Sequence, residues 1–226
     1  MGIIVAIDGP AGAGKSTTSR EVAKILGFLY IDTGAMYRAV GLKLKELGLS
    51  LSDKGKIIDI AKNSKIDFKW ENGELKVFLD NRDVTIDIRT NEIGQIASAV
   101  SVIPEVRDML VAQQREYGKK YDIVMEGRDI GTNVFPGADV KIYMEASVEE
   151  RAKRRMLDYK KIGKEISMEE VIEEIKERDH RDSSRSYAPL KKAKDAIVID
   201  TTNMSFDEQV KKIVEIIKDR CLKGGE

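Results

Sequence analysis

The sequence predicts an α/β fold in which helices flank a parallel β-sheet. Short runs of β-branched and apolar residues, beginning with residues 3–7, alternate along the chain with segments of helical periodicity. Strands and helices that alternate in this way are typical of parallel sheets. A chain of 226 residues is also long enough to bury the core of one such domain. We therefore expect a single fold with one main core.

The predicted elements follow one another in a regular order. Apolar runs predict core strands at residues 3–7, 28–31, 122–125, 140–144 and 196–199. Helical periodicity predicts helices at residues 19–26, 35–47 and 92–100, and another that opens at Pro104. Capping boxes of the form Ser-x-x-Glu predict three further helix starts, at Ser147, Ser167 and Ser205.

One segment departs from this order. Residues 66–70 and residues 75–79 each alternate between apolar and polar side chains, and Asn72-Gly73 separates the two runs. Two alternating runs around Asn-Gly predict an antiparallel hairpin. Because such a hairpin is foreign to a parallel sheet, we interpret it as part of an inserted lobe.

A glycine-rich segment joins the first predicted strand to the first predicted helix. Residues 9–16 have the spacing of a phosphate-binding loop, Gly-x-x-x-x-Gly-Lys-Ser. Backbone N–H groups and the positive end of the helix dipole would face a polyphosphate there. Lys15 would reach the β- and γ-phosphates, and the Ser16 hydroxyl would ligate Mg²⁺. The predicted core is therefore of the phosphate-loop NTPase type.

Composition restricts the partners of the protein. Lys plus Arg equal Asp plus Glu at 39 each, so net charge gives no attraction to nucleic acid or to a membrane surface. The single cysteine, Cys221, cannot form an intrachain disulfide, and residues 3–7 are too short for a signal sequence or a membrane span. We expect a cytoplasmic monomer that binds small molecules, not nucleic acids or membranes.

Several arginines follow predicted strands or lie in predicted helices. Phosphoryl transfer needs cations that neutralise the phosphates, and the planar guanidinium group binds two phosphate oxygens at once. Arg38 follows the Asp32-Thr33-Gly34 turn, and Arg128 follows the strand at residues 122–125. Ligands of open α/β sheets bind at the carboxyl ends of the strands, where these turns and the phosphate loop should meet. Taken singly, each arginine is equally consistent with a solvated surface charge.

Two further groups of arginines could be either phosphate-binding residues or solvated surface charges. Arg178, Asp182 and Arg185 have the spacing i, i+4, i+7, which predicts one face of a helix or an exposed ladder of ion pairs. Arg181 falls in the same segment. The helix that begins after Ser147 carries Arg151, Arg154 and Arg155, which could equally be functional or solvated.

The acceptor of the phosphoryl group is indicated by the residues that the loop lacks. An alcohol would need a base to take its proton, whereas a nucleotide phosphate is already anionic near neutral pH. No obvious base accompanies the loop, which favours a phosphate acceptor. Two alternatives stay open: a kinase for another small acceptor such as UMP, and a nucleotide-dependent switch ATPase.

The sequence resembles the bacterial cytidylate kinases, which belong to the nucleoside monophosphate kinase family. The matching motifs lie at residues 7–17, 32–38, 126–132 and 175–190. The resemblance implies a single phosphate-loop kinase domain over residues 1–226 with a core, an inserted lobe that binds the nucleoside monophosphate (NMP) and contains the hairpin, and a short lid. The implied boundaries are 1–34, 104–148 and 190–226 for the core, 35–103 for the NMP-binding lobe, and 149–189 for the lid and closing helices.

The same resemblance implies an activity and a set of site residues. The activity is transfer of the γ-phosphoryl group of MgATP to CMP, and to dCMP, in pyrimidine nucleotide metabolism. The implied catalytic residues are Lys15, Arg38 and Arg128, and the implied metal ligand is Ser16. ATP would occupy Gly9, Pro10, Ala11, Gly12, Ala13, Gly14, Lys15, Ser16 and Thr17.

The resemblance also implies three groups of residues that would bind the acceptor. Its phosphate would bind Thr33, Arg38 and Arg128. Its base would bind Ser98, Arg107 and Asp129. Its ribose and the closing region would bind Arg178, Asp182 and Arg185, and the lid arginines would lie near Arg154 and Arg155.

Overall fold

The structure is a computed structural model that describes residues 2–71, 74–161, 163 and 165–222. The chain forms two compact units. The first unit comprises Met1–Leu29 and Tyr121–Glu226, and the second unit comprises Tyr30–Lys120. Within the described residues, no helix is both long enough and apolar enough to cross a membrane.

The strands and helices alternate as the sequence predicts. In chain order the strands are β1 (Ile4–Asp8), β2 (Leu29–Asp32), β3 (Ile66–Glu71), β4 (Glu74–Leu79), β5 (Arg82–Asp83), β6 (Ile123–Gly127), β7 (Val140–Glu145) and β8 (Ile197–Asp200). The α-helices are α1 (Lys15–Leu26), α2 (Thr33–Glu46), α3 (Lys54–Lys62), α4 (Asn91–Val100), α5 (Pro104–Lys120), α6 (Val148–Lys161), α7 (Met168–Ser184) and α8 (Phe206–Ile217).

A five-stranded sheet forms the centre of the fold, in the order β2-β6-β1-β7-β8. β1 runs parallel to both β6 and β7, and β8 runs parallel to β7. All five residues of β1 and of β6 are buried, as expected for strands covered by helices on both faces. Asp8, the last residue of β1, lies opposite Gly127 and Tyr143. The predicted parallel sheet flanked by helices is therefore confirmed.

The first unit brings the phosphate loop and α1 against the helices that follow β7. α1 contacts β6 and α8. α6 and α7 pack against each other around a small apolar core of their own. The fully or largely buried members of that core are Ala152, Tyr159, Val171 and Ile175.

Two of the three predicted capping boxes are complete. At Ser167 and at Ser205 the hydroxyl accepts the N3 backbone N–H, and the N3 glutamate accepts the cap N–H in return. At Ser147 the hydroxyl accepts the backbone N–H of Glu150 at 3.2 Å, which is the first half of the same motif. These caps start α6, α7 and α8 where the sequence predicts.

The second unit contains the predicted hairpin. β3 and β4 pair antiparallel from Ile66 opposite Leu79 to Glu71 opposite Glu74. The predicted turn at Asn72-Gly73 lies outside the described residues. A third strand, β5, pairs with β4 and was not predicted. Asp80 and Asn81 join the two with φ of 51° and 69°, values that a type I′ turn requires and that Asp and Asn tolerate.

α3 is the other element that sequence analysis missed. Its buried residues are Ile57 and Ala61 alone, one turn apart. Ile57, Ile58, Ile60 and Ala61 have helical spacing in the sequence, so this nine-residue helix carried a local signal that could have found it. Asp53 caps its start, since its carboxylate accepts the backbone N–H of Lys56 at 3.2 Å.

Candidate active site

The phosphate loop, residues 9–16, connects β1 to α1 through backbone conformations that glycine favours. Gly9 has φ +148°, and a Cβ there would lie 2.0 Å from the carbonyl oxygen of Met144. Gly14 has φ +89° and is the N-cap of α1, where none of the described side chains caps the backbone N–H groups. Free N–H groups at a helix start, with the positive end of the helix dipole, form an anion site.

Lys15, the first residue of α1, is almost completely buried beneath this loop. Only 5% of it is exposed, and its ammonium group donates to the carbonyl oxygen of Pro10 at 2.6 Å. Burial, followed by the positive charge of Arg128, lowers the pKa of Lys15 to about 7, and Arg178 adds to the effect. Phosphate oxygens near Lys15 would favour the charged ammonium form. The loop and the Lys15 ammonium group together therefore suit the binding of an anion.

Arg151 of α6 supports the phosphate loop from outside. Its guanidinium group donates to the carbonyl oxygen of Ala11 at 3.0 Å and to that of Ala146 at 3.1 Å. The same group pairs with Asp179 of α7 at 2.6 Å. Since Arg151 is buried, this contact fixes the loop to both helices.

Thr201 supports the loop from the end of β8. Its hydroxyl lies 3.1 Å from the carbonyl oxygen of Ala13 and 3.1 Å from that of Glu145, and it can donate to one at a time. Arg154 donates to the Thr201 hydroxyl at 3.1 Å and to its carbonyl oxygen at 2.7 Å. Arg154 therefore helps to hold Thr201 in place, and Thr201 in turn contacts the loop.

Arg128 follows β6 and is paired with Asp182 of α7. The Arg128 Nε donates to an Asp182 carboxylate oxygen at 2.7 Å. Burial alone would lower the pKa of Arg128, but the charge of Asp182 raises it above its ordinary value. Burial alone would raise the pKa of Asp182, but Arg128 holds it below its ordinary value. Arg178 contributes in the same direction to Asp182, so the structure brings Lys15, Arg128, Arg178 and Asp182 into one electrostatic cluster.

Arg185 corrects one sequence prediction. α7 ends at Ser184, and Arg185 has extended backbone with φ −60° and ψ 139°, so it does not share a helix face with Arg178 and Asp182. It lies in the segment after the helix and pairs with Asp129 at 3.4 Å. Its Nε donates to the carbonyl oxygen of Ala188 at 2.6 Å. The spacing rule failed here because the chain leaves the helix before Arg185.

The remaining predicted site residues belong to the second unit. Thr33 is the first residue of α2 and is buried. Asp32 caps this helix by accepting the backbone N–H of Ala35 at 3.0 Å, and it also accepts from Arg38 at 2.7 Å. The pairing with Asp32 therefore holds the Arg38 guanidinium group near the start of α2. Ser98 lies half-buried on α4.

Arg107 is the most buried charged residue of the second unit. It is 2% exposed, donates to the carbonyl oxygen of Ser101 at 3.2 Å, and lies with its guanidinium carbon 5.5 Å from the centre of the Tyr37 ring. In the sequence, only the family resemblance singles out Arg107. A buried arginine beside an aromatic face fits the recognition of a flat polar group.

The sequence predicts no role for Asp8 or Thr201 and leaves Arg151 open between a functional and a solvated arginine. All three are buried and hold the phosphate loop or the turn after β6. Asp8 ends a buried strand directly before the loop, which is the one local signal that could have found it. The contacts of Arg151 and Thr201 join segments far apart in sequence and leave no local pattern.

Ser16 offers the oxygen that a phosphate-bound Mg²⁺ would need. It is the second residue of α1, and its side chain is exposed at the loop. Within the described part of the chain, no group of three or more His, Cys, Asp and Glu residues could hold a metal by itself. Mg²⁺ prefers oxygen ligands and commonly takes most of them from water and substrate phosphates. The residues present therefore fit a metal shared with a nucleotide.

A parallel sheet, a phosphate loop at the end of its central strand and an arginine cluster beside the loop define a phosphate-loop kinase. The family model described as cytidylate kinase matches residues 5–219. The chain belongs to the cytidylate kinase family, and it is an ATP-dependent nucleoside monophosphate kinase.

Individual relatives agree with this assignment over almost their whole length. The chain is 50% identical over 216 residues to a cytidylate kinase of Lactobacillus johnsonii, covering 96% of this chain and 94% of the relative. It is 50% identical over 214 residues to a cytidylate kinase of Caldicellulosiruptor bescii, covering 95% of each. The crystal structure of an uncharacterized protein from Eubacterium ventriosum has the same fold, with a TM-score of 0.54 at 15% identity and coverage of 96% and 99%.

Proposed function

We propose that this protein transfers the γ-phosphoryl group of MgATP to CMP, giving CDP and ADP, and that it also accepts dCMP. The observation that supports the proposal most strongly is the cluster of Lys15, Arg128 and Arg178 beside the phosphate loop in a member of this family. Phosphoryl transfer is catalysed mainly by positioning and by neutralising charge. A buried lysine next to two arginines supplies both.

The donor would bind on the phosphate loop. Backbone N–H groups of residues 9–17 would hold the phosphates, and Lys15 would exchange its bond to the Pro10 carbonyl oxygen for phosphate oxygens. Ser16 would hold Mg²⁺, which supplies positive charge between the β- and γ-phosphates when bound. Arg151 and Thr201 would keep the loop in shape through the carbonyl oxygens of Ala11 and Ala13.

The acceptor phosphate would bind Thr33, Arg38 and Arg128. Its oxygens are anionic near neutral pH, so attack on the γ-phosphorus needs no general base. Arginine suits this task because its charge persists at every physiological pH and its fork binds two oxygens. Arg38 and Arg128 are each held by a carboxylate, Asp32 and Asp182 respectively, which fixes their direction beforehand.

Arg107, Ser98 and Asp129 would read the cytosine base. Cytosine presents O2 and N3 as acceptors and its amino group as a donor, which complement a cation and oxygen acceptors. Uracil presents N3–H and O4 instead, so the same groups would be mispaired at a cost on the order of 1–3 kcal/mol. Arg178, Asp182 and Arg185 would contact the ribose and the closing region.

Different segments of the chain would have different tasks. Residues 35–103 would form the lobe that binds the nucleoside monophosphate, and residues 149–189 would form the lid and closing helices, with arginines near Arg154 and Arg155. Closure would exclude water, which would otherwise accept the phosphoryl group. We further propose that the protein acts in the cytoplasm as a monomer.

A panel of acceptors tests this proposal. The purified protein is given MgATP with CMP, dCMP, UMP, AMP or glycerol, and ADP formation is measured together with the phosphorylated product. We expect rapid turnover with CMP and dCMP, weak turnover with UMP, and slow ATP hydrolysis without an acceptor. Preference for UMP would make the protein a kinase for a different base. ATP hydrolysis that no small acceptor stimulates would favour a switch ATPase.

A further inference from the structure

Asp8 joins the phosphate loop to the turn that carries Arg128. It is the last residue of β1, directly before Gly9, and only 5% of it is exposed. One carboxylate oxygen accepts the backbone N–H of Ile130 and the other accepts that of Gly131, each at 2.8 Å. These two amides belong to the arginine turn, which we define as residues 128–131. One side chain therefore connects the two segments that would hold donor and acceptor phosphates.

Gly131 lies close to both Asp8 and Lys141. A Cβ at this position would lie 3.4 Å from an Asp8 carboxylate oxygen and 3.2 Å from the side chain of Lys141 on β7. The turn is thus held on one side by Asp8 and on the other by the aliphatic part of Lys141. These contacts hold the arginine turn beside the end of β1.

The titratable groups near Asp8 lie on three parts of the fold. Asp129 lies in the arginine turn itself, Lys15 lies at the start of α1, and Tyr143 lies opposite Asp8 on β7, where Lys141 packs against Gly131. Burial raises the pKa of Asp8 to about 6, the two backbone N–H groups oppose this rise, and the charge of Asp129 adds to it. The carboxylate is therefore ionised at neutral pH and begins to take up a proton in mildly acidic solution.

Protonation would alter what Asp8 can bind. An ionised carboxylate only accepts hydrogen bonds, whereas a protonated one carries an O–H that is itself a donor. The backbone N–H group that faces the protonated oxygen would then have a weaker, uncharged acceptor. Since Arg128 is two residues before Ile130, the change would loosen the segment that sets the position of its guanidinium group.

We propose that Asp8 is a positioning residue whose ionised carboxylate fastens the arginine turn beside the phosphate loop, and that efficient use of CMP depends on this fastening. The inference rests on the proposed function, because it assigns Arg128 to the acceptor. Asp8 itself touches neither nucleotide. Its effect should appear in the use of the acceptor more than in the binding of ATP.

The first test compares Asp8 with Asp139, a second carboxylate that accepts a backbone N–H group near β1. Asp139 accepts the backbone N–H of Ile4 at 2.8 Å, at the opposite end of β1, so Asp139→Asn is a matched control for Asp8→Asn. Values of kcat and KM for CMP and for ATP are measured from about pH 5.5 to about pH 8.5. Asp8→Asn should lower kcat/KM for CMP by about 100-fold at pH 7.5, as displaced catalytic groups do, with little change in KM for ATP.

The pH profile separates positioning from mere support of the fold. The titration of CMP itself is common to all variants. We expect the wild-type protein and Asp139→Asn to lose additional activity below about pH 6, where Asp8 takes up its proton, and Asp8→Asn to lack this additional loss. Equal losses in the two asparagine variants, or equal effects on CMP and ATP, would overturn the proposal.

A second measurement does not depend on any kinase activity. In isotope-labelled wild-type protein, NMR should show the amide resonances of Ile130 and Gly131 shifting with pH around a midpoint near 6, as Asp8 is protonated. Amides that do not respond to pH would refute the fastening even if Asp8→Asn fails to fold. If the wild-type protein does not phosphorylate CMP, the proposed function fails, while the amide titration still judges the role of Asp8.

Discussion

Arg128 and Asp182 bind each other: the Arg128 Nε lies 2.7 Å from an Asp182 carboxylate oxygen. Under the proposed function the two residues would bind different parts of the acceptor, the phosphate and the ribose. Because their charges are paired, the direction of the Arg128 guanidinium group depends on α7. Occupancy of the phosphate position and the position of α7 should therefore be energetically linked.

Removing the charge of Asp182 should weaken both stability and acceptor use. The side chains of Arg128 and Asp182 are 19% and 14% exposed, so Asp182→Asn would leave a largely buried cation without its counter-charge. We expect a loss of about 2 kcal/mol in the free energy of unfolding and a rise of about tenfold in KM for CMP. Urea unfolding and steady-state kinetics measure the two effects. Glu173→Gln, an exposed change on the same helix, is the control and should alter neither.

Lys15 should be essential for turnover and dispensable for folding. Lys15→Met keeps most of the buried aliphatic chain but removes the ammonium group that would neutralise the phosphates. We expect kcat to fall by about 1,000-fold or more, with an unchanged circular dichroism spectrum. Lys24→Met, an exposed change on the same helix, should retain full activity. Normal turnover in Lys15→Met would show that the loop does not hold the transferred phosphoryl group.

Arg107 should govern the choice of base. Arg107→Met preserves the bulk of the side chain beside Tyr37 but removes the guanidinium donors. The expected loss in kcat/KM for CMP is about 10- to 100-fold, corresponding to a mispaired buried contact, while KM for ATP stays near the wild-type value. Arg115→Met on the exposed side of α5 serves as the control. A similar loss for both nucleotides would contradict the assignment to the base.

Much of the fold could be predicted from sequence because its signals are local. Buried strands such as residues 3–7 are continuous apolar runs, and the capping boxes at Ser167 and Ser205 occupy four residues each. The phosphate loop is equally local. The stacking of Arg107 beside Tyr37, the contact of Arg151 with the loop and the pairing of Arg185 with Asp129 each join segments distant in sequence. No periodicity records such contacts, so only the folded chain shows them.

Thr201 should affect the donor through the shape of the loop. Thr201→Val keeps the volume of the side chain but removes the hydroxyl that joins Arg154 to the Ala13 carbonyl oxygen. Buried groups left without a partner cost about 1–3 kcal/mol each, so we expect lower stability and a higher KM for ATP. Thr201→Ser keeps the hydroxyl and should restore KM for ATP. Failure of serine to restore it would point to packing instead of hydrogen bonding.

Asp8 should also leave a signature in the pH dependence of stability. Its pKa is about 6 in the folded protein against an ordinary 3.8, so between these pH values the folded state binds more protons than the unfolded state. The contribution of Asp8 to stability is therefore present at low pH and is lost as pH rises through about 6, by about 3 kcal/mol in total. Urea unfolding of wild type and Asp8→Asn across this range measures it, with Asp139→Asn as the reference.

Gly9 has a consequence for any survey of tolerated substitutions. Alanine there would place a methyl group 2.0 Å from the Met144 carbonyl oxygen, with φ at +148°, so strand β7 excludes every side chain whether or not a nucleotide is present. A screen scored by growth or catalysis alone would class this position with the ATP contacts. An assay of soluble yield beside the activity score would separate such architectural intolerance from loss of chemistry.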